Sequence, residues 1–137
     1  MNKLKLSIFV SILVTGIASA ASAPCDGFQI RLKNNLNDDL LMTTIKLNGA
    51  EIQPGVFEKL NHKSEQVFTI NRSKQDLPMT GEFTLHTLSL PSKTVKIQYS
   101  LENKVAFCEH NDNSPQSDYA VEKNRKIGEV QYTINNQ

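Results

Sequence analysis

The sequence predicts an all-β protein: an antiparallel β-sandwich of about eight or nine short strands, held by one disulfide, with little or no helix once an export signal is removed. Apolar residues recur at every second position in many segments, as in Phe28, Ile30 and Leu32 and again in Val95, Ile97, Tyr99 and Leu101. That alternation puts one apolar face on each extended segment. The segments are separated by clusters of Asn, Asp, Gly, Pro and Ser at intervals of roughly 8–12 residues, as in strands joined by turns. No window holds an apolar period of about 3.6 residues over a helical length, although residues 119–126 are compatible with a short helix.

The amino terminus has the three-part layout of a secretory signal. Lys3 and Lys5 precede an apolar run over residues 6–17, and the small-residue series Ala18-Ser19-Ala20-Ala21-Ser22-Ala23 follows. Cleavage is expected after Ala20, since Ala18 and Ala20 occupy the two positions that need small side chains, whereas cutting after Ala23 would leave Pro24 at the new terminus. The run is too short for a membrane anchor, which needs ~20 apolar residues. Lipid attachment at Cys25 is disfavoured by Pro24, because such sites want a small residue there. The expected organisation is a cleaved signal over residues 1–20 and one domain over residues 21–137, delivered to a bacterial periplasm or the extracellular medium. Cys25 and Cys108 are then expected to pair in that oxidising compartment.

The elements follow in order. Phe28, Ile30 and Leu32 build a first strand, and the turn formers of residues 34–39 end it. Residues 40–47 make a second strand. Asn48-Gly49 follows at once and predicts a hairpin whose return strand starts at residues 50–52, because a type I′ turn needs two residues at positive φ. Gln53-Pro54-Gly55 turns the chain into a short apolar segment over residues 56–60, and a strand over residues 65–71 precedes a polar loop over residues 72–81. In the next strand the apolar set passes from Phe83 and Leu85 to Leu88 and Leu90, and this change of parity predicts a β-bulge near His86-Thr87. Residues 95–101 alternate cleanly, residues 102–104 turn, and residues 105–109 return with Phe107 in the core. Residues 111–118 read as an exposed loop, and residues 127–134 as a closing strand.

Charge selects no partner class. The chain has 15 Lys and Arg against 14 Asp and Glu, and loss of Lys3 and Lys5 leaves 13 against 14. A nucleic-acid binder carries a strong basic footprint, and none is present. No G-x-S-x-G nucleophile elbow and no Gly-rich phosphate loop occurs, and the cysteines are expected to be oxidised, so no cofactor and no catalytic residue is assigned. His62, His86 and His110 show no metal-ligand spacing and read as surface polar groups.

Two candidates for binding chemistry remain. Asp38 and Asp39 in one loop, and Asp112 and Asp118 in another, offer calcium-type oxygen ligands, but the same residues are ordinary turn formers. Lys123, Arg125 and Lys126 form a basic cluster suited to an anionic head group, with Tyr119 nearby in sequence, yet such a cluster also suits a solvated turn or a protected edge strand. By elimination the expected function is non-catalytic: an exported sandwich that binds a protein, glycan or envelope component through loops or an edge strand. A membrane-docking or membrane-active secreted protein is one alternative, and a small hydrolase with a convergent carboxylate or histidine cleft is another.

Overall fold

The computed structural model describes residues 23–74 and 77–137; the expected signal over residues 1–20 lies outside the described residues. Among the described residues ten strands are formed: β1 (Gln29–Asn34), β2 (Leu40–Asn48), β3 (Glu51–Gln53), β4 (Lys59–Leu60), β5 (Glu65–Asn71), β6 (Met79–Thr87), β7 (Thr94–Asn103), β8 (Cys108–Asp112), β9 (Ala120–Lys126) and β10 (Glu129–Asn135). They make two five-stranded sheets, in the orders β9-β10-β1-β5-β3 and β4-β2-β6-β7-β8. This is the predicted all-β sandwich, and no helix occurs among the described residues; residues 119–126 belong to β9 and its approach. Neighbouring strands are antiparallel except β1 and β10, which run parallel with Gln29 opposite Glu129.

Alternation builds the core. In β1 the inward set is Ile30, Leu32 and Asn34, in β7 it is Val95, Ile97, Tyr99 and Leu101, and in β10 it is Val130, Tyr132 and Ile134, all buried. The sheets meet where Phe68 of β5 packs on Phe83 of β6 with ring centres 4.9 Å apart, and Phe83 continues onto Tyr99 at 5.7 Å. On the outer face Arg31 of β1 pairs with Glu65 on β5 and, at 3.4 Å, with Glu129 on β10, tying three adjacent strands across the register.

Asn34 is a fully buried polar residue of this core. Its amide nitrogen lies within 3.2 Å of the carbonyl oxygens of Asp38, Leu60 and Asn61, and its side-chain oxygen accepts from Leu36 N at 3.0 Å. A fully buried amide is tolerated because its donors and acceptor are all used, and in return it fixes the turn over residues 34–39.

The structure corrects several local expectations. Asn48-Gly49 is a turn, with Gly49 at φ +90°, but it passes the chain from β2 to β3 in the other sheet, where β3 pairs with β5 instead of β2. The dipeptide specifies the backbone reversal; burial decides which strand receives it. The bulge lies in β2 between Met42 and Thr44, where Thr43 Oγ1 donates to Thr84 O, and not at His86-Thr87. The parity change there has a simpler cause: β6 ends at Thr87, whose buried hydroxyl donates to Leu90 O at 2.9 Å, so Leu88 and Leu90 fall in a turn and are about half exposed. The polar loop expected to reach Gly81 ends earlier, since Met79 already begins β6.

The segment over residues 113–118 is a loop, and it does the work of an edge strand. Backbone N–H groups of Thr94, Lys96 and Gln98, alternate positions of β7, donate to Asp118 Oδ2 at 2.8 Å, Ser117 Oγ at 3.0 Å and Ser114 Oγ at 3.0 Å. Side chains thereby replace a ladder of backbone carbonyls and blunt an exposed edge.

Candidate functional site

Strand directions sort the loops into two ends of unlike chemistry. One end carries residues 34–39, 61–64, 88–93 and 118–119, rich in Asn, Asp and Ser. The other carries the turns over residues 104–107 and 127–128 together with the disulfide.

At this second end β7 and β8 form a hairpin in which Asn103 faces Cys108 and Lys104 N donates to Phe107 O at 2.9 Å. The tip is therefore Val105-Ala106, Val105 is fully exposed and Phe107 is 56% exposed, which corrects the expectation of a strand over residues 105–109 with Phe107 in the core. β9 and β10 likewise pair down to Lys126 and Glu129, leaving Ile127-Gly128 as the turn, with Gly128 at φ +73° and Ile127 fully exposed instead of starting a strand. Local alternation cannot see either reversal, because an aliphatic at a turn tip reads the same as one in a strand. The available signal was Ile127-Gly128, with glycine at the left-handed position such a turn requires.

The end is rigidly assembled. Cys25 and Cys108 are bonded with a sequence separation of 83, joining the segment before β1 to the first residue of β8 in the opposite sheet. Cys25 N donates to Asn103 Oδ1 at 2.6 Å, and Asp26 Oδ1 accepts from Ser73 N and Ser73 Oγ at 2.8 and 2.7 Å. The guanidinium of Arg125 donates to Cys108 O at 2.8 Å and Glu129 O at 3.0 Å and lies 4.8 Å from the centre of the Phe28 ring, clamping β9 to β8. Between the two tips lies an open cleft of about 710 Å³, lined by Val105, Phe107 and Ile127 with Arg125 and Lys126 at its side. This disulfide is compatible with an oxidising exported compartment.

Behind the clamp sits an aromatic nest. The ring of His110 on β8 lies 6.2 Å from Phe28, 6.1 Å from Tyr99 and 5.8 Å from Tyr132, and its Nε2 shares a hydrogen bond of 2.8 Å with the Tyr132 hydroxyl. His110 Nδ1 and the Tyr99 hydroxyl are buried without a partner among the described residues. Burial, helped by the charges of Lys123 and Arg125, lowers the His110 pKa to about 4, and burial raises those of Tyr99 and Tyr132. The sequence reading of His110 as a surface group is thus corrected: it packs into the seam between the sheets.

The other sequence candidates lie as follows. Asp38 accepts from Ser89 N at 3.2 Å and from Ser89 Oγ. Asp39 accepts from His62 N at 2.8 Å and meets His62 Nδ1 at 2.9 Å, and those two hydrogen bonds, with Lys59 beyond, hold its carboxyl below the usual range. Asp112 caps Ser114 N at 3.1 Å, and Asp118 caps Thr94 N. These carboxylates fasten turns, and no group of three His, Cys, Asp or Glu side chains suited to a metal gathers among the described residues. Tyr119 is not brought to the basic cluster. Its hydroxyl donates to Thr87 Oγ1 at 3.2 Å at the opposite end, under Lys93. Lys123 is exposed on the outer β9 strand, and Lys126 lines the cleft beside Ile127. Comparison with known protein families and with curated proteins finds no match to the chain.

Proposed function

We propose that this is an exported, non-catalytic binding protein that docks through the disulfide end of its sandwich. The observation that carries the reading is the convergence of Val105, Phe107 and Ile127 around one cleft, with Arg125 and Lys126 at its side. Leaving two aliphatic side chains fully in water at adjoining tips forgoes the burial worth roughly 1.5–3 kcal/mol for each, and contiguous exposed apolar groups rimmed by polar ones mark interaction sites. The rigid frame beneath supports the same role, because tips braced by a disulfide and an arginine clamp lose little freedom on binding. The use of both cysteines in that bond, and of the loop carboxylates as turn caps, favours binding over catalysis. Export is supported by the signal-like first 20 residues and by the disulfide.

A photocrosslinking residue placed at Ile127, with a second protein carrying it at Asn37 on the opposite end, tests the reading in the source cell envelope and medium. The expected result is a discrete adduct, to protein or to lipid, from position 127 and none from position 37. Adducts from position 37 alone, or from neither, would overturn it.

A further inference from the structure

Resting on that docking end, we propose that its occupant is the anionic interfacial layer of a lipid bilayer, entered by the tips at Val105 and Ile127. Size argues first. Three exposed side chains on two turns are far fewer than the 20–30 residues a side, about 800 Å² per partner, that a stable protein interface engages. They are also separated by an open cleft instead of forming a plane, a shape that fluid lipid fills and a rigid partner fills only with a matching ridge.

Charge argues second. Each tip is preceded by a lysine, Lys104 before Val105 and Lys126 before Ile127. A lysine stem lying along the apolar surface carries its ammonium to head-group depth while the neighbouring aliphatic goes deeper. Lys104 is shared with Glu102 at 3.2 Å and Glu109 at 3.6 Å, so the attraction falls mainly on Lys126, backed by Lys123 on the same strand. Neither forms an ion pair among the described residues. The capping carboxylates Asp38, Asp39 and Asp118 lie at the far end. The apolar tips are thus flanked by Arg125 and Lys126, cations that form no ion pair among the described residues. An anionic surface attracts such cations.

The test is co-sedimentation of the disulfide-intact protein, recovered from an exporting host, with vesicles of phosphatidylcholine alone or with a third of phosphatidylglycerol. Binding is expected to the anionic vesicles, at least fivefold weaker to the neutral ones, and falling as salt is raised. Val105→Asp and Ile127→Asp should each lower the partition about tenfold or more, and Lys126→Glu should act only on the anionic vesicles. All three sites are exposed, so unchanged melting temperatures show that the variants fold. Failure to bind either vesicle, equal binding to both, or binding indifferent to the three variants would each overturn the proposal. If vesicles are not bound while position 127 crosslinks one protein, the bilayer inference falls and the docking end stands; if position 127 also captures nothing, both fall.

Discussion

Acid should destabilise this protein through one histidine before its carboxylates matter. His110 is ionised in an unfolded chain below about pH 6.5, but in the fold it keeps its proton off until about pH 4, because it is packed among Phe28, Tyr99 and Tyr132 and faces Lys123 and Arg125. Asp112 opposes this by favouring the charged ring, and it is the weaker influence. A depressed pKa means the unfolded state binds the extra proton first, so the stability contribution is complete above pH 6.5 and is lost as the pH falls toward 4. A displacement of this size corresponds to roughly 3 kcal/mol at most, and partial solvent exposure of the ring reduces the expected loss between pH 7 and pH 4.5 to about 2 kcal/mol. Urea unfolding followed at half-unit pH steps in the wild type and in His110→Gln reads this directly. The wild type should lose about 2 kcal/mol over that range, roughly 8 °C in melting temperature, while the variant starts lower at pH 7 and changes much less down to pH 5. Parallel curves for the two proteins would refute the reasoning, as would a His110 imidazole resonance titrating near pH 6.5.

Three further outcomes are expected. A Cβ at Gly81 would lie 2.2 Å from Tyr99 Cζ, so Gly81→Ala should cost roughly 1–3 kcal/mol by denaturant unfolding, and much less in a Tyr99→Val background where the ring is gone. Asn34→Ala leaves the carbonyl oxygens of Leu60 and Asn61 and the N–H of Leu36 without their buried partner, and should lower stability by roughly 3 kcal/mol. Reducing the disulfide, or Cys108→Ser, should cost about 2–4 kcal/mol, since the bond closes a long loop, and mass spectrometry should show the oxidised protein about 2 Da lighter.

Where one face of a strand is buried, period-two patterning identified the core directly, as at Val95, Ile97, Tyr99 and Leu101. The disulfide was legible too, since two cysteines in a chain with a signal-like start leave one economical pairing. What escaped was any feature decided by a distant partner. Leu88, Leu90, Val105, Phe107 and Ile127 are as apolar as core residues, and only the pairing of Asn103 with Cys108 and of Lys126 with Glu129 shows that two of them are turn tips. Asn48-Gly49 announced a reversal but not the sheet to which the chain returned. The candidate site was half visible: Arg125 and Lys126 stood out as charge, whereas their apolar neighbours were hidden by the assumption that hydrophobic means buried. His110 was missed because nothing adjacent in sequence shows that Phe28, Tyr99 and Tyr132 converge on it.

The parallel pairing of β1 with β10 also sets when the protein can fold. β1 lies in the middle of its sheet, and its partner Glu129 follows Gln29 by some 100 positions. A chain delivered amino terminus first therefore presents β1 with one side open until residues 129–135 arrive, however early β5 has emerged. Contacts of such long sequence separation are slow to form because the intervening loop must first be closed. Completion of the sandwich is thereby deferred until residues 129–135 have emerged. In the interval before closure the half-paired centre of the sheet is open to aggregation, and that exposure lasts until β10 is delivered.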